Sequence, residues 1–369
     1  MIYRIHRRTC SAVLAICVAA AATVWVARLA IQPASAQSSF AKLVEEFSEP
    51  SGYFDTDNLI SNEKSYLHAI PHLEQGGVTG GVYIGVGPDQ NFSYIACIRP
   101  TVAFIIDIRR DNLLLHLLFK ALFAVSRNRM EFLSLLTGRP VPEGVEKWHD
   151  ASIGQIVTYF DNTKPSAALA HNRRLHEVIQ GFGIPVSAEE LATIDRFHAA
   201  FVSSGLSLRF QTFGRPIQSY NPTYRELLTE TDQEGRQRNY LASEDDFQFL
   251  RSLEGRDGVI PIVGDLSGTH ALAAIGRWMT DHRERLSAFY VSNVEDYLFR
   301  SGNFGRYMEN LRRLPPTDRS VIIRSVFGRL ALPESVPGYY SATIVQDFDK
   351  LLANSSAGKY QTYSDLLRR

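Results

Sequence analysis

Gly80–Asn112, GGVYIGVGPDQNFSYIACIRPTVAFIIDIRRDN, decides the fold. Val82–Gly85 lies in a run rich in Val, Ile and Tyr that ends in glycines, which is the pattern of a strand. The following PDQNFSYIACIRP reads as a short helix stopped by Pro100. Val102–Ile108 is almost wholly apolar, as expected of a strand in a parallel sheet covered on both faces. A long helical run follows, NLLLHLLFKALFAVSRNRMEFLSLL. Strand, helix, strand, helix with short connections predicts an α/β protein built on a mostly parallel sheet with helices on both faces.

The same rhythm returns late in the chain. GVIPIVGDL places a strand at Val259–Val263, SAFYVSN one at Ala288–Val291 and RSVIIRSVF one at Ser320–Val326, each separated by a helical run. The stretch 138–255 breaks the alternation. It holds helical segments and one strand-like piece, LSLRFQTF, and reads as a mainly helical insertion or cap. The expected organisation is therefore a leader over residues 1–36, a first part of the sheet domain over 37–137, the insertion over 138–255, and a second part with a C-terminal tail over 256–369. There is no internal repeat or low-complexity segment.

The leader combines a basic start (MIYRIHRR), the apolar run AVLAICVAAAATVWVA, and Ala34-Ser35-Ala36 before Gln37. These features fit a secretory signal peptide cleaved after Ala36, or one N-terminal membrane anchor if uncleaved. Either way the remainder is expected outside the cytoplasm. Lys plus Arg equals Asp plus Glu, 39 against 39. Because Arg4, Arg7, Arg8 and Arg28 fall in the leader, the rest carries 35 basic against 39 acidic side chains. That is no footprint for nucleic acid. Arg109, Arg110 and Lys120 read as a solvated surface. With Cys10 and Cys17 in the leader, only Cys97 remains, as a small buried hydrophobe, and there is neither a disulfide framework nor a metal site.

Four strand ends carry candidate binding residues. Gly85 and Gly87 close the first strand, where open parallel sheets bind ligands and glycine admits close backbone approach. Asp107 closes the second, about twenty residues on, where an acid can accept hydrogen bonds from ribose hydroxyls; the alternative is a solvated strand-end aspartate or a partner for Arg109 or Arg110. Asp265 ends the third in Gly-Asp, and Ser292 with Asn293 ends the fourth. This series resembles the class I S-adenosylmethionine-dependent methyltransferase superfamily over about Gly77–Gly328, the stretch 138–255 excepted. The resemblance implies a Rossmann-like sheet and S-adenosylmethionine as cofactor. It sets the glycines against the methionine part, Asp107 against the ribose, Asp265 near the adenine, and Ser292 and Asn293 toward the reacting groups. The chain departs from the family in having Gly-Val-Gly-Pro rather than a three-glycine loop and in lacking an Asn/Asp-Pro-Pro-aromatic motif.

Methyl transfer to a small or medium substrate is the function this implies; a non-catalytic exported binding or structural protein on the same scaffold is the alternative. A hydrolase lacks a recognisable nucleophile motif. Glu295 and Asp296 read as a solvated helix start, His116 as a core or surface histidine, and Asp281 with His282 as unsupported by any nucleophile. Phe213–Tyr224 reads as a loop over the site. Asp107 is expected to matter for binding and Arg109 to matter little.

Overall fold

The computed structural model describes residues 39–166, 169–328 and 332–368, so the expected leader lies outside the described residues. Phe40–Arg369 forms one compact unit. Its centre is a six-stranded sheet in the order β3-β2-β1-β4-β5-β6. The strands are β1 Val82–Gly85, β2 Val102–Asp107, β3 Val259–Val263, β4 Leu286–Ser292, β5 Pro316–Phe327 and β6 Ser341–Asp347. The first five are parallel to their neighbours, and β6 runs antiparallel to β5 with Ile323 opposite Val345. Every side chain of β1 and β3 is buried. Successive strand residues point to opposite faces, so both faces of the sheet are covered there.

The five parallel strands lie where the apolar runs put them. The sixth corrects the reading of the C-terminus as a tail. Ser341–Asp347 pairs along β5, and Ser65 on the short turn Lys64–Ala69 bonds with Ser341 and Thr343, covering what would be an exposed edge. The strand-like LSLRFQTF is not a strand. It contributes one isolated bridge, Arg209 to Thr223, after a turn at Gly205–Ser207.

The chain from β2 to β3 runs through helices that include α1 Arg110–Val125, α2 Arg129–Thr137, α3 Ala188–Ser204 and α4 Glu244–Gly255. This stretch is not a separate layer. Phe92, in the helix after β1, packs edge-on against Phe119, Phe123 and Tyr240, and Phe123 stacks on Phe247. Aromatic pairs of this geometry add about 0.5–1.5 kcal/mol each beyond the area they bury. Among the described residues no helix is long and apolar enough to cross a membrane.

Candidate functional site

A crevice of about 550 Å³ opens at the carboxyl ends of β1 to β4. In a parallel sheet these ends share one edge, so residues about two hundred positions apart converge there. Gly87, Asp107, Asp265, Ser292 and Asn293 line the crevice; Gly85 does not. Gly85 lies underneath, where an added Cβ would collide with the Asn91 side chain and stand 2.8 Å from Tyr83. Its lack of a side chain serves packing of the loop.

The loop after β1 is held by Asn91, which stands near where a third glycine would fall. Its Nδ2 donates to the carbonyls of Val86, Gly87 and Pro88, and its Oδ1 accepts from the Tyr83 hydroxyl at 2.8 Å. Gly87 has φ +83°, and a Cβ there would come within 3.3–3.4 Å of Asn58 and Gln90, which also line the crevice. Its bare Cα therefore keeps that wall open. Asp89 begins the next helix, but its carboxylate accepts from Tyr224 and Tyr240 and ties the loop to the 206–255 segment. Burial lifts Asp89 to about 6.

Asp107 is held by a neighbour. Its Oδ1 accepts from the Arg109 backbone N–H at 2.9 Å and Nε at 3.1 Å, and its Oδ2 accepts from Nη2 at 2.9 Å. Arg109 also donates to the Thr56 carbonyl at 2.7 Å. This corrects the expectation of a solvated surface: Arg109 is buried and paired with Asp107. Lys120 is buried as well, paired with Glu254 and Asp257, while Arg110 bonds Glu190. Asp107 lines the crevice, and its oxygens keep lone-pair capacity beside the bonds to Arg109.

Asp265 is oriented by a residue the sequence did not single out. Glu49 accepts the backbone N–H of Asp265 through one carboxylate oxygen, and those of His270 and Ala271 through the other. Asp265 Oδ1 then accepts from the backbone N–H and hydroxyl of Ser267.

Ser292 takes φ +51° at the end of β4, a conformation that non-glycine residues adopt rarely and hold where the surroundings enforce it. Its hydroxyl donates to Glu63, a residue also overlooked in the sequence. Its buried carboxylate accepts from the Ser292 hydroxyl and from Tyr290 and Ser325, the last two at 2.5 Å. Burial pushes Glu63 above the ordinary glutamate value, opposed by those hydroxyls.

The remaining candidates separate cleanly. Glu295 is no solvated helix start: it is buried against Arg324, with Nε to Oε2 at 2.5 Å. His116 is a core residue whose Nε2 meets the Gly87 carbonyl at 2.9 Å, and burial lowers it to about 4. Half-buried Cys97 is pushed up to about 11, which leaves it an unreactive thiol. His282 stacks on Trp278, and both Asp281 and His282 are exposed. None of Phe213–Tyr224 lines the crevice; that loop bonds instead to Asp55 through the Phe213 N–H and Arg215.

The fold and crevice define an α/β protein with a ligand-sized site at one edge of a mostly parallel sheet. The chain belongs to the family described as Domain of unknown function (DUF7790), whose model matches residues 58–178 and 206–368. The match spans most of the stretch read as an insertion and omits only 179–205 within it, which includes α3. No curated protein matches the chain.

Proposed function

We propose that the chain is an exported, Rossmann-like protein that binds S-adenosylmethionine in the crevice and transfers its methyl group to a small or medium substrate. The observation that carries the reading is the convergence of Gly87, Asp107, Asp265, Ser292 and Asn293 on one crevice, at the ends of four strands or in the loops after them.

The crevice residues fit the cofactor. Gly87 leaves room for its passage, Asp107 offers an acceptor to a ribose hydroxyl, and Ile106, Ile108 and Leu266 give an apolar wall next to Asp265 for a flat base. When bound, S-adenosylmethionine supplies a methyl group already activated on a sulfonium. The chain's residues then need only align the acceptor and exclude water, so the lack of a catalytic triad is no obstacle.

Calorimetric titration of the full chain with S-adenosylmethionine tests this. Asp107→Ala should weaken binding about ten- to a hundredfold, the loss of a charged hydrogen bond worth roughly 1.5–3 kcal/mol. Arg109→Ala should weaken it in the same direction, because Asp107 would lose its orientation. A folded wild-type chain that binds none would remove the cofactor and favour the non-catalytic exported binding protein.

A further inference from the structure

Beside the expected nucleoside region, the crevice has a corner where acceptors outnumber donors. Glu63 is about 1% exposed and has no lysine or arginine paired with it among the described residues. The hydroxyl protons of Tyr290, Ser292 and Ser325 all point at its carboxylate. A hydroxyl whose proton is so committed shows only lone pairs to anything else.

Gln90 adds a second, independent observation. Its Nε2 donates to the Tyr290 hydroxyl at 3.1 Å, the orientation required once that hydroxyl has given its proton to Glu63. Its Oε1 is then left buried with no hydrogen-bond partner among the described residues. A buried polar atom without a partner costs roughly 1–3 kcal/mol. Gln90, Glu63, Ser292 and Asn293 all line the crevice. The corner thus brings together a buried carboxylate, a hydroxyl oxygen and an orphan amide oxygen, and among the described residues no lysine or arginine is paired with that carboxylate.

We propose that Glu63, Gln90 and Ser292 form a subsite for a primary ammonium group. An ammonium has three donors and no acceptor and carries the charge that Glu63 lacks. A carboxylate or phosphate would meet lone pairs and like charge, and a hydroxyl would leave the charge unmatched. The group has two sources: the amino-acid end of the cofactor, or a separate amine that accepts the methyl group. Both are within reach by position: Gln90 stands beside Gly87, where the methionine part would pass, and Glu63 reaches β4 and β5 through Tyr290, Ser292 and Ser325, away from Asp107 and Asp265. The amine assignment rests on the methyltransferase reading; the ammonium subsite itself does not.

The test is a set of titrations on the full chain, wild type and Glu63→Gln, with circular dichroism to establish that both are folded. The probes are S-adenosylhomocysteine, 5′-methylthioadenosine (which lacks the amino-acid end), n-butylamine and n-butanol. Butylamine should bind the wild type at least tenfold more tightly than butanol, and Glu63→Gln should abolish the difference. Unchanged S-adenosylhomocysteine affinity in Glu63→Gln identifies a separate amine as the source. If instead the preference for S-adenosylhomocysteine over methylthioadenosine collapses in Glu63→Gln while butylamine never binds, the ammonium is the cofactor's and the subsite still stands. If the wild type binds butylamine in a Glu63-dependent way and neither nucleoside, the cofactor reading fails and the subsite survives. Amine and nucleoside affinities that are both indifferent to Glu63→Gln overturn the proposal. Should Glu63→Gln not fold, Ser292→Ala takes its place, with loss of the butylamine preference expected and its retention overturning the proposal.

Discussion

Glu63 and Glu295 are both about 1% exposed, and both sit beside the last parallel strands of the sheet. Glu295 faces Arg324, which also donates to Gln346 at 2.7 Å, and the trio is closed off from the crevice. Glu63 faces only hydroxyls, and it opens on the crevice. Burying a carboxylate is costly unless it is paired and hydrogen-bonded. Glu295 meets that requirement within the fold. Glu63 is hydrogen-bonded but lacks a counter-charge, so it is the one that points to a ligand.

The sharpest way to break this contrast is to unpair the first glutamate. Arg324→Met leaves Glu295 buried without its partner and should lower stability by about 3–5 kcal/mol in chemical denaturation. The double change Arg324→Met with Glu295→Leu should recover most of the loss. A loss below about 1 kcal/mol would mean that the pair does not anchor this side of the sheet.

A second test uses pH. Asp89 moves from an ordinary 3.8 to about 6 on folding, so the folded chain holds that proton more tightly than the unfolded one. Stability from this group therefore falls as pH rises from about 4 to 6. His116 acts in the opposite sense. Its value drops from 6.5 to about 4, so its contribution is present above 6.5 and lost as pH falls through 4. In the wild type the two trends oppose each other, and Glu254, raised by burial to about 7, acts in the same sense as Asp89. Asp89→Asn should remove that group's share, making the change in stability from pH 6 to pH 4 less favourable by up to about 3 kcal/mol. An unchanged pH profile would show that Asp89 does not titrate where its burial puts it, against the lowering pull of the Tyr224 and Tyr240 hydroxyls.

Much of the sheet was legible because its strands are continuous apolar runs bounded by Gly, Pro or Asp, and parallel geometry then places their ends together. β6 was not, because Ser341, Thr343 and Gln346 interrupt its apolar positions and mask a buried strand. Arg324 could have been found: a charged residue inside VIIRSVF, where its neighbours are all apolar or small, demands a buried partner. Glu63 could not. It sits in the polar run NLISNEK about twenty residues before β1, and its partners come from positions 290, 292 and 325. The candidate residues at strand ends were accessible to sequence reasoning, as was Arg109, two positions from Asp107, whereas Glu49 and Glu63 hold Asp265 and Ser292 from more than two hundred residues away.

A smaller effect separates the two glycines that the sequence paired. Gly85→Ala should cost about 1–3 kcal/mol of stability, since the new Cβ overlaps Asn91 and crowds Tyr83 beneath the loop. Gly87→Ala strains a φ of +83° yet meets nothing closer than 3.3 Å, so its stability loss should be the lesser and its effect on nucleoside binding the greater. Thermal denaturation and calorimetry of the two variants check this, and the reverse ranking would mean that Gly87 rather than Gly85 is the packing residue. Smallest of all, Glu63→Gln should change stability by less than about 1 kcal/mol near neutral pH, because it strands no buried cation. A loss as large as that of Arg324→Met would erase the contrast between the two glutamates.

A crystal structure of the full chain with S-adenosylhomocysteine decides whether the edge of the sheet at β1 to β4 is the proposed nucleoside crevice. The ligand should lie in the crevice, with a ribose hydroxyl on the Asp107 carboxylate, the base beside Asp265 and the chain passing over Gly87. A ligand bound elsewhere, or a crevice that stays free of it at saturating concentration, would overturn the proposed function.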